Sequence, residues 1–266
     1  MEKSSPPSSC LTLPLFRTSM PRAGEKVAFV AVAASAGFLL LNLYRKQRQQ
    51  STKYSVPPEL LSSNYSKELQ VAVALALESG RSMYLYYDSK GTAAEIQHDL
   101  NIVTKGRPED FFTQIDLDNE KLIMEGILAA FPDHSIIGEE TVGQGTIPKL
   151  TEAPTWIIDP IDGTTNFAAG LPLSCVSIGL CIDQKPVLGV VYAPATDELY
   201  LAVDNYGAFR NDVRLSKRTG TSLRDAVVGF EFGYARDNDA AVKMTSVVRR
   251  ILRNGCRCTR SLGSGV

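Results

Sequence analysis

A chain of 266 residues, 44% hydrophobic and 21% charged, carries enough apolar material for one large globular core. Its formal net charge of −1 supplies no overall field for nucleic acid or another polyanion, so a phosphate site would have to be built locally. The odd number of scattered cysteines (Cys10, Cys175, Cys181, Cys256, Cys258) speaks against a disulfide framework. Cys256-Arg-Cys258 has no second pair beside it and reads as structural thiols rather than zinc ligands. With only His98 and His134, imidazole catalysis has few candidates.

In chain order, residues 1–26 are rich in Ser and Pro without hydrophobic period and read as disordered. Residues 27–44 form an uncharged apolar run that, as a helix, is about 27 Å long, enough for a hydrocarbon core. A cleaved signal peptide, with Ala34-Ser35-Ala36 as its site, and an organelle transit peptide compete with a single membrane anchor for this run. The basic stop at Arg45, Lys46 and Arg48 favours the anchor, and the excess of Lys and Arg after it places the C-terminal part in the cytoplasm. Cleavage would instead leave a cytoplasmic or organellar protein. Residues 45–65 read as a linker.

The globular region is expected to begin at Ser66. Leu69, Val73, Ala76, Leu77 and Gly80 recur at helical spacing and predict a helix over 66–88. A second helix is predicted over 118–131, capped by Asp118, with Leu122, Ile123, Ile127 and Leu128 on one face and Pro132 as its stop. Strands follow at 156–158, 175–182, 186–192 and 198–203, separated by turn residues such as Asp183-Gln184 and Asn205-Tyr206-Gly207. Connections this short predict antiparallel neighbours. A strand over 226–232 and a helix over 239–253 come last; Val242, Val248, Ile251 and Leu252 are expected to face inward, with Gly255 as the cap. The fold class is α+β.

The informative stretch is Gly138-Glu139-Glu140 followed by Trp156-Ile-Ile-Asp-Pro-Ile-Asp-Gly-Thr-Thr-Asn-Phe167. Ile157 and Ile158 look like the buried end of a strand, which Pro160 should terminate because it has no N–H to donate. Asp159 and Asp162 then lie across one turn, and two carboxylates so close repel unless a proton or cation stands between them. Hard oxygen ligands select Mg²⁺ over zinc. Gly163 permits an unusual dihedral, and Thr164-Thr165-Asn166 would open a helix whose free N–H groups suit phosphate. Each piece also has an ordinary reading. Asp-Pro-x-Asp-Gly makes good turns, and Glu139-Glu140 alone would be a solvated loop. Together the pieces favour a metal site.

These residues resemble the inositol monophosphatase family. The likeness rests on Glu139-Glu140 with WIIDPIDGTTNF, supported by Lys105, Pro108, Thr113-Gln-Ile-Asp116 and His134-Ser-Ile-Ile-Gly. Later matches are Gly189-Val-Val-Tyr192, Gly207-Ala-Phe209 with Asn211, and Arg260-Ser-Leu-Gly263. The resemblance implies a phosphatase domain over 66–266, a layered α/β sandwich of the sugar-phosphatase type with a mainly antiparallel sheet. It also implies Mg²⁺-dependent hydrolysis of inositol monophosphate, or of another small sugar or nucleotide phosphate, with a homodimer as the usual assembly. By resemblance, Glu139, Asp159 and the Ile161 carbonyl hold one Mg²⁺, Asp159 and Asp162 a second, and Asp116 sits nearby through water. Gly163 and Thr164 offer N–H groups to phosphate, and Gly263 and Ser264 line the substrate rim. Thr164 and Glu139 orient and deprotonate the attacking water, with Asp162 completing the catalytic set. The family carries a further aspartate in a Trp-Asp-Val-Ala-like motif after the Arg-Ser-x-Gly segment. Val266 precedes any such motif, so the expectation is an incomplete second subdomain: a piece of an enzyme, or an inactive membrane-tethered chain.

Overall fold

The structure, a computed structural model, describes residues 54–91, 100–108, 110–143, 145–217, 220, 222–231 and 237–263. A turn of helix, α1 (Pro58–Leu61), leads into the long helix α2 (Ser66–Ser89). The predicted apolar spacing holds: Leu69, Val73 and Ala76 are buried, joined by Ala72, Leu75, Met83 and Tyr86. Gly80 is required by packing, because a Cβ there would overlap the Tyr192 ring. A small antiparallel hairpin, β1 (Val103–Arg107) with β2 (Asp110–Phe112), precedes helix α3 (Gln114–Ala130).

Helix α3 begins four residues before the expected Asp118. Thr113 is its cap: the Asp116 amide donates to Thr113 Oγ1, while Thr113 N–H donates to Asp116 Oδ2 at 2.8 Å. Two reciprocal bonds outweigh a lone Asp118, which accepts from Gln114 on the surface. The buried face is Ile123, Gly126 and Ile127, and Leu128 is 43% exposed rather than inward.

The main sheet has seven strands in sequential order: β3 (Ser135–Gly138), β4 (Thr155–Asp162), β5 (Cys175–Ile182), β6 (Lys185–Ala193), β7 (Glu198–Val203), β8 (Gly207–Arg210) and β9 (Val213–Arg214). Only β3 and β4 are parallel; every other pair is antiparallel. Between β3 and β4 lies one turn of helix, α4 (Glu139–Val142), and after β4 comes α5 (Thr164–Ala169). Asp183 and Gln184, both at positive φ, close the β5–β6 hairpin in the sense that matches strand twist. Helices α2 and α3 pack on each other and on the sheet, enclosing Trp156, Ile158, Ile178, Leu180, Val190 and Leu201. Burying an aliphatic side chain of this kind is worth about 1.5–3 kcal/mol.

Strand β4 does not stop at Pro160 as expected. It runs on to Asp162 through a bulge, where a missing donor costs no ladder bond.

The remaining elements form a smaller unit. Strand β10 (Val227–Gly229) pairs in parallel with β11 (Cys258–Arg260), and helix α6 (Asn238–Arg253) connects them. Asp237 caps α6 by accepting from the Ala240 amide, and Gly255, at φ +77°, follows its last turn. No residue of α6 is buried. Val242 is 64% and Leu252 54% exposed, contrary to the inward face expected for them. Periodicity defines an apolar face without saying what covers it. The anchor expected at 27–44 lies outside the described residues; among those described, no helix is long and apolar enough to cross a membrane.

Candidate active site

The bulge in β4 brings the two aspartates together. Three apart on a regular strand, Asp159 and Asp162 would point to opposite faces. Here Asp159 pairs with Ser177 and Asp162 with Cys175, two positions on the same face of β5. Ile161 N–H turns back to Asp159 Oδ1 at 3.1 Å, and Gly163 then takes φ +83°, a left-handed conformation that only glycine adopts cheaply. That turn opens α5. Thr164 Oγ1 lies 3.0 Å from the Ile161 carbonyl oxygen and 3.3 Å from Asp116 Oδ1. With a single proton, the hydroxyl serves one of these acceptors at a time.

Asp116 is fully buried at the start of α3, and burial raises its pKa against the hydrogen bonds from Thr113 and Thr164. Asp159 is pushed up to about 8, first by burial, then by the charges of Glu139 and Asp162, and further by a hydrogen bond with Glu139 and the charge of Asp116. Four carboxylates therefore act on one another where β3 and β4 end. Cys175 Sγ stands 3.8 Å from Asp162 Oδ2, its thiol pKa raised by burial and by both aspartates.

Glu139 is held differently. Lys105 Nζ lies 2.9 Å from Glu139 Oε1 and 2.8 Å from Glu140 Oε1. Burial would lower the lysine pKa, but the two carboxylates outweigh it and hold it up. Beneath them the buried Glu120 accepts from the amides of Glu140 and Thr141, each at 2.7 Å, and from the Thr141 hydroxyl. A Cβ at Gly138 would lie 2.5 Å from Glu120 Oε2, so this approach needs glycine.

The structure thus brings Glu139, Asp159, Asp162, Asp116, Ile161, Gly163 and Thr164 to one place. Among the described residues, no three His, Cys, Asp or Glu side chains form a group that could hold a metal ion as they stand. Glu139 is shared between Lys105 and Asp159, and Asp116 is committed to its cap. The donor chemistry nevertheless fits a hard divalent cation. All donors are oxygens, and the raised Asp159 pKa marks a place where added positive charge is favourable. Gly263 is tied to α5 through its neighbour, Leu262, whose carbonyl accepts from Asn166 Nδ2 at 2.6 Å; the Gly263 N–H itself faces Glu231. Ser264 lies outside the described residues. Sequence reasoning gave no side-chain partner to Glu120, Asn166 or Glu231; most of their partners are distant in sequence, and only the glycines at 138 and 263 hinted at close approach.

A mainly antiparallel sheet carrying helices on its face and an acidic bulge at a strand end defines an α+β domain of the sugar-phosphatase type. The chain belongs to the inositol monophosphatase family, whose profile matches residues 64–266. Inositol monophosphatase 2 of Solanum lycopersicum is 43% identical over 144 residues, 54% of this chain and 54% of that protein. Inositol monophosphatase 1 of Homo sapiens is 33% identical over 196 residues, 74% of this chain and 68% of that protein. Among solved structures, the extragenic suppressor protein suhB from Bartonella henselae superposes with a TM-score of 0.61 at 30% identity, over 73% of this chain and 70% of that one. The Thermotoga maritima IMPase gives 0.60 at 30% identity, over 74% and 68%. The chain spans about half the length of the Solanum lycopersicum relatives it matches. The family is one of metal-dependent phosphatases.

Proposed function

We propose that this chain hydrolyses inositol monophosphate to myo-inositol and inorganic phosphate, with Mg²⁺ as its metal. The observation that carries the reading is the bulged end of β4, where Asp159 is crowded by Glu139, Asp162 and Asp116 beside the left-handed Gly163 turn. The names of the relatives support the substrate. In this reading Glu139, Asp159, Asp162 and the Ile161 carbonyl hold the metal, with Asp116 behind them. Bound there, Mg²⁺ would lower the pKa of a water molecule and neutralise charge on the transferred phosphoryl group.

The chain's own groups do the rest. Thr164 Oγ1, already between Ile161 O and Asp116 Oδ1, orients the attacking water, and Glu139 accepts its proton. The amides of Gly163 and Thr164 stand at the start of α5, where no preceding helical turn supplies an acceptor, and would be offered to the phosphate. Gly263 contributes shape rather than a donor, and Ser264 is assigned to the rim by family likeness alone. The test is phosphate release from inositol monophosphate across a Mg²⁺ titration, with other sugar and nucleotide monophosphates alongside. Metal-dependent release, lost in EDTA and fastest with inositol monophosphate, is expected. Equal release in EDTA would refute the metal reading, and a faster rival would reassign the substrate.

We also infer that residues 27–44 tether the protein to a membrane, from their uncharged length and basic border. Alkaline carbonate extraction should leave the protein in the pellet; quantitative release would rule out the tether.

A further inference from the structure

We propose that Asn166 and Glu231 are positioning residues that hold segment 261–263 from two sides beside the Gly163–Thr164 turn and so set the rim of the phosphate site. This rests on the phosphatase reading above and deepens it.

The buried Asn166 lies on α5, two residues after Thr164. Its amide group donates to Leu262 O at 2.6 Å and to Leu173 O at 2.8 Å, which commits both protons. Its own carbonyl accepts from Leu171 N–H at 2.9 Å, so the side chain projects from a fixed backbone. Gly263 sits against it at φ +74°, where a Cβ would come within 2.9–3.3 Å of the Asn166 amide. Both the left-handed conformation and the contact with the committed Asn166 amide favour glycine there.

From the opposite side, Glu231 accepts from Ser261 Oγ at 2.8 Å, from Leu262 N–H at 2.5 Å and from Gly263 N–H. Phe230 N–H donates to Arg260 O at 2.8 Å, so this grip continues the β10–β11 pairing one step further. Leu262 is the link: its N–H is held by Glu231 in the small unit and its C=O by Asn166 in the large one. Slight burial would raise the Glu231 pKa, yet the Gly263, Leu262 and Ser261 donors lower it, so the carboxylate stays charged and keeps its grip at neutral pH. Three donors from consecutive residues on one carboxylate order the loop they belong to. That loop is joined to Asn166, two residues along α5 from Thr164 and the turn assigned to phosphate.

The experiment uses the full 266-residue chain with Glu231→Ala and Glu231→Gln, both at an exposed position that leaves the core intact. Glu231→Ala is expected to raise KM for inositol monophosphate about tenfold with kcat within about twofold, the loss of some of these bonds. Calorimetry with inorganic phosphate and Mg²⁺ should show the same roughly tenfold weakening. Glu231→Gln, which keeps an acceptor, should recover most of both. Wild-type values of KM and phosphate affinity in Glu231→Ala, or no recovery in Glu231→Gln, would overturn the proposal. A wild-type chain that binds phosphate without turning over inositol monophosphate sinks the phosphatase reading and leaves calorimetry to decide the clamp. A wild-type chain that does neither overturns both.

Discussion

Two groups of acids meet where β3 and β4 end, and they are stabilised in opposite ways. The glutamate group, Glu139 and Glu140 with Glu120 beneath, is served by the Lys105 ammonium and by the amides that open α4. The aspartate group, Asp159 and Asp162 with Asp116 behind, is crowded by burial and by its own like charges, and Asp159 answers by holding its proton to about 8. One group is a finished ion-pair network. In the proposed function, the other is completed by a metal ion. Glu139 belongs to both, since it pairs with Lys105 and hydrogen-bonds to Asp159.

The largest effect should come from breaking the aspartate group. Asp162→Asn keeps size and turn geometry but removes a charge from the proposed metal site. Turnover of inositol monophosphate is expected to fall about 10³-fold with an unchanged circular dichroism spectrum, the scale seen when one electrostatic partner of a transition state is lost. A near wild-type rate would reduce Asp162 to a turn residue.

The second way to sharpen the contrast is pH. An acid whose folded pKa is raised binds its proton more tightly when folded, so folding loses stability as pH rises from the unfolded value near 4 to about 8. In that window one such group costs at most about 1.4 kcal/mol per pH unit. Denaturant unfolding in EDTA should therefore show stability falling toward pH 8, with Mg²⁺ restoring most of it at the alkaline end. A flat profile in EDTA would mean that the aspartates are relieved by some group already present.

On the glutamate side, Gly138→Ala pushes a methyl against the Glu120 carboxylate. Overpacking of this kind costs about 1–3 kcal/mol, read as a lower denaturation midpoint, and it should also displace α4 and with it Glu139.

How far these groups could be read from the sequence follows from the range of each signal. Local signals worked: the spacing of Leu69, Val73 and Ala76 gave α2, and Asp183-Gln184 gave the β5–β6 hairpin. The Asp159–Asp162 pair was legible because both ends lie within one short motif, although the bulge that aligns them was hidden behind the expectation that Pro160 ends the strand. Asp116 was placed at the site by resemblance, but its half of the cap that moves the start of α3 was not read. What stayed illegible is tertiary. Lys105, Glu120, Asn166 and Glu231 act on residues 20 to 96 positions away. The exposure of α6 could not be read from its own periodicity.

The smallest expected effect is the most direct test of the shared role of Glu139. Lys105→Met keeps much of the aliphatic bulk and removes the charge, which lies 6.0 Å from the centre of the Phe112 ring. If the ammonium and a divalent ion compete for Glu139, losing the ammonium frees one ligand and removes a repulsive charge, and both changes favour metal. A unit charge a few ångströms away in a partly solvated site is worth on the order of 1 kcal/mol or slightly more, so Mg²⁺ affinity measured by calorimetry should rise about three- to tenfold. The same variant leaves Glu140, only 2% exposed at its side chain, without its partner, so stability without metal should fall while Mg²⁺ recovers part of it. Weaker Mg²⁺ binding in Lys105→Met would show that the lysine holds Glu139 in place for the metal instead of competing with it, and the two acidic groups would then work as one.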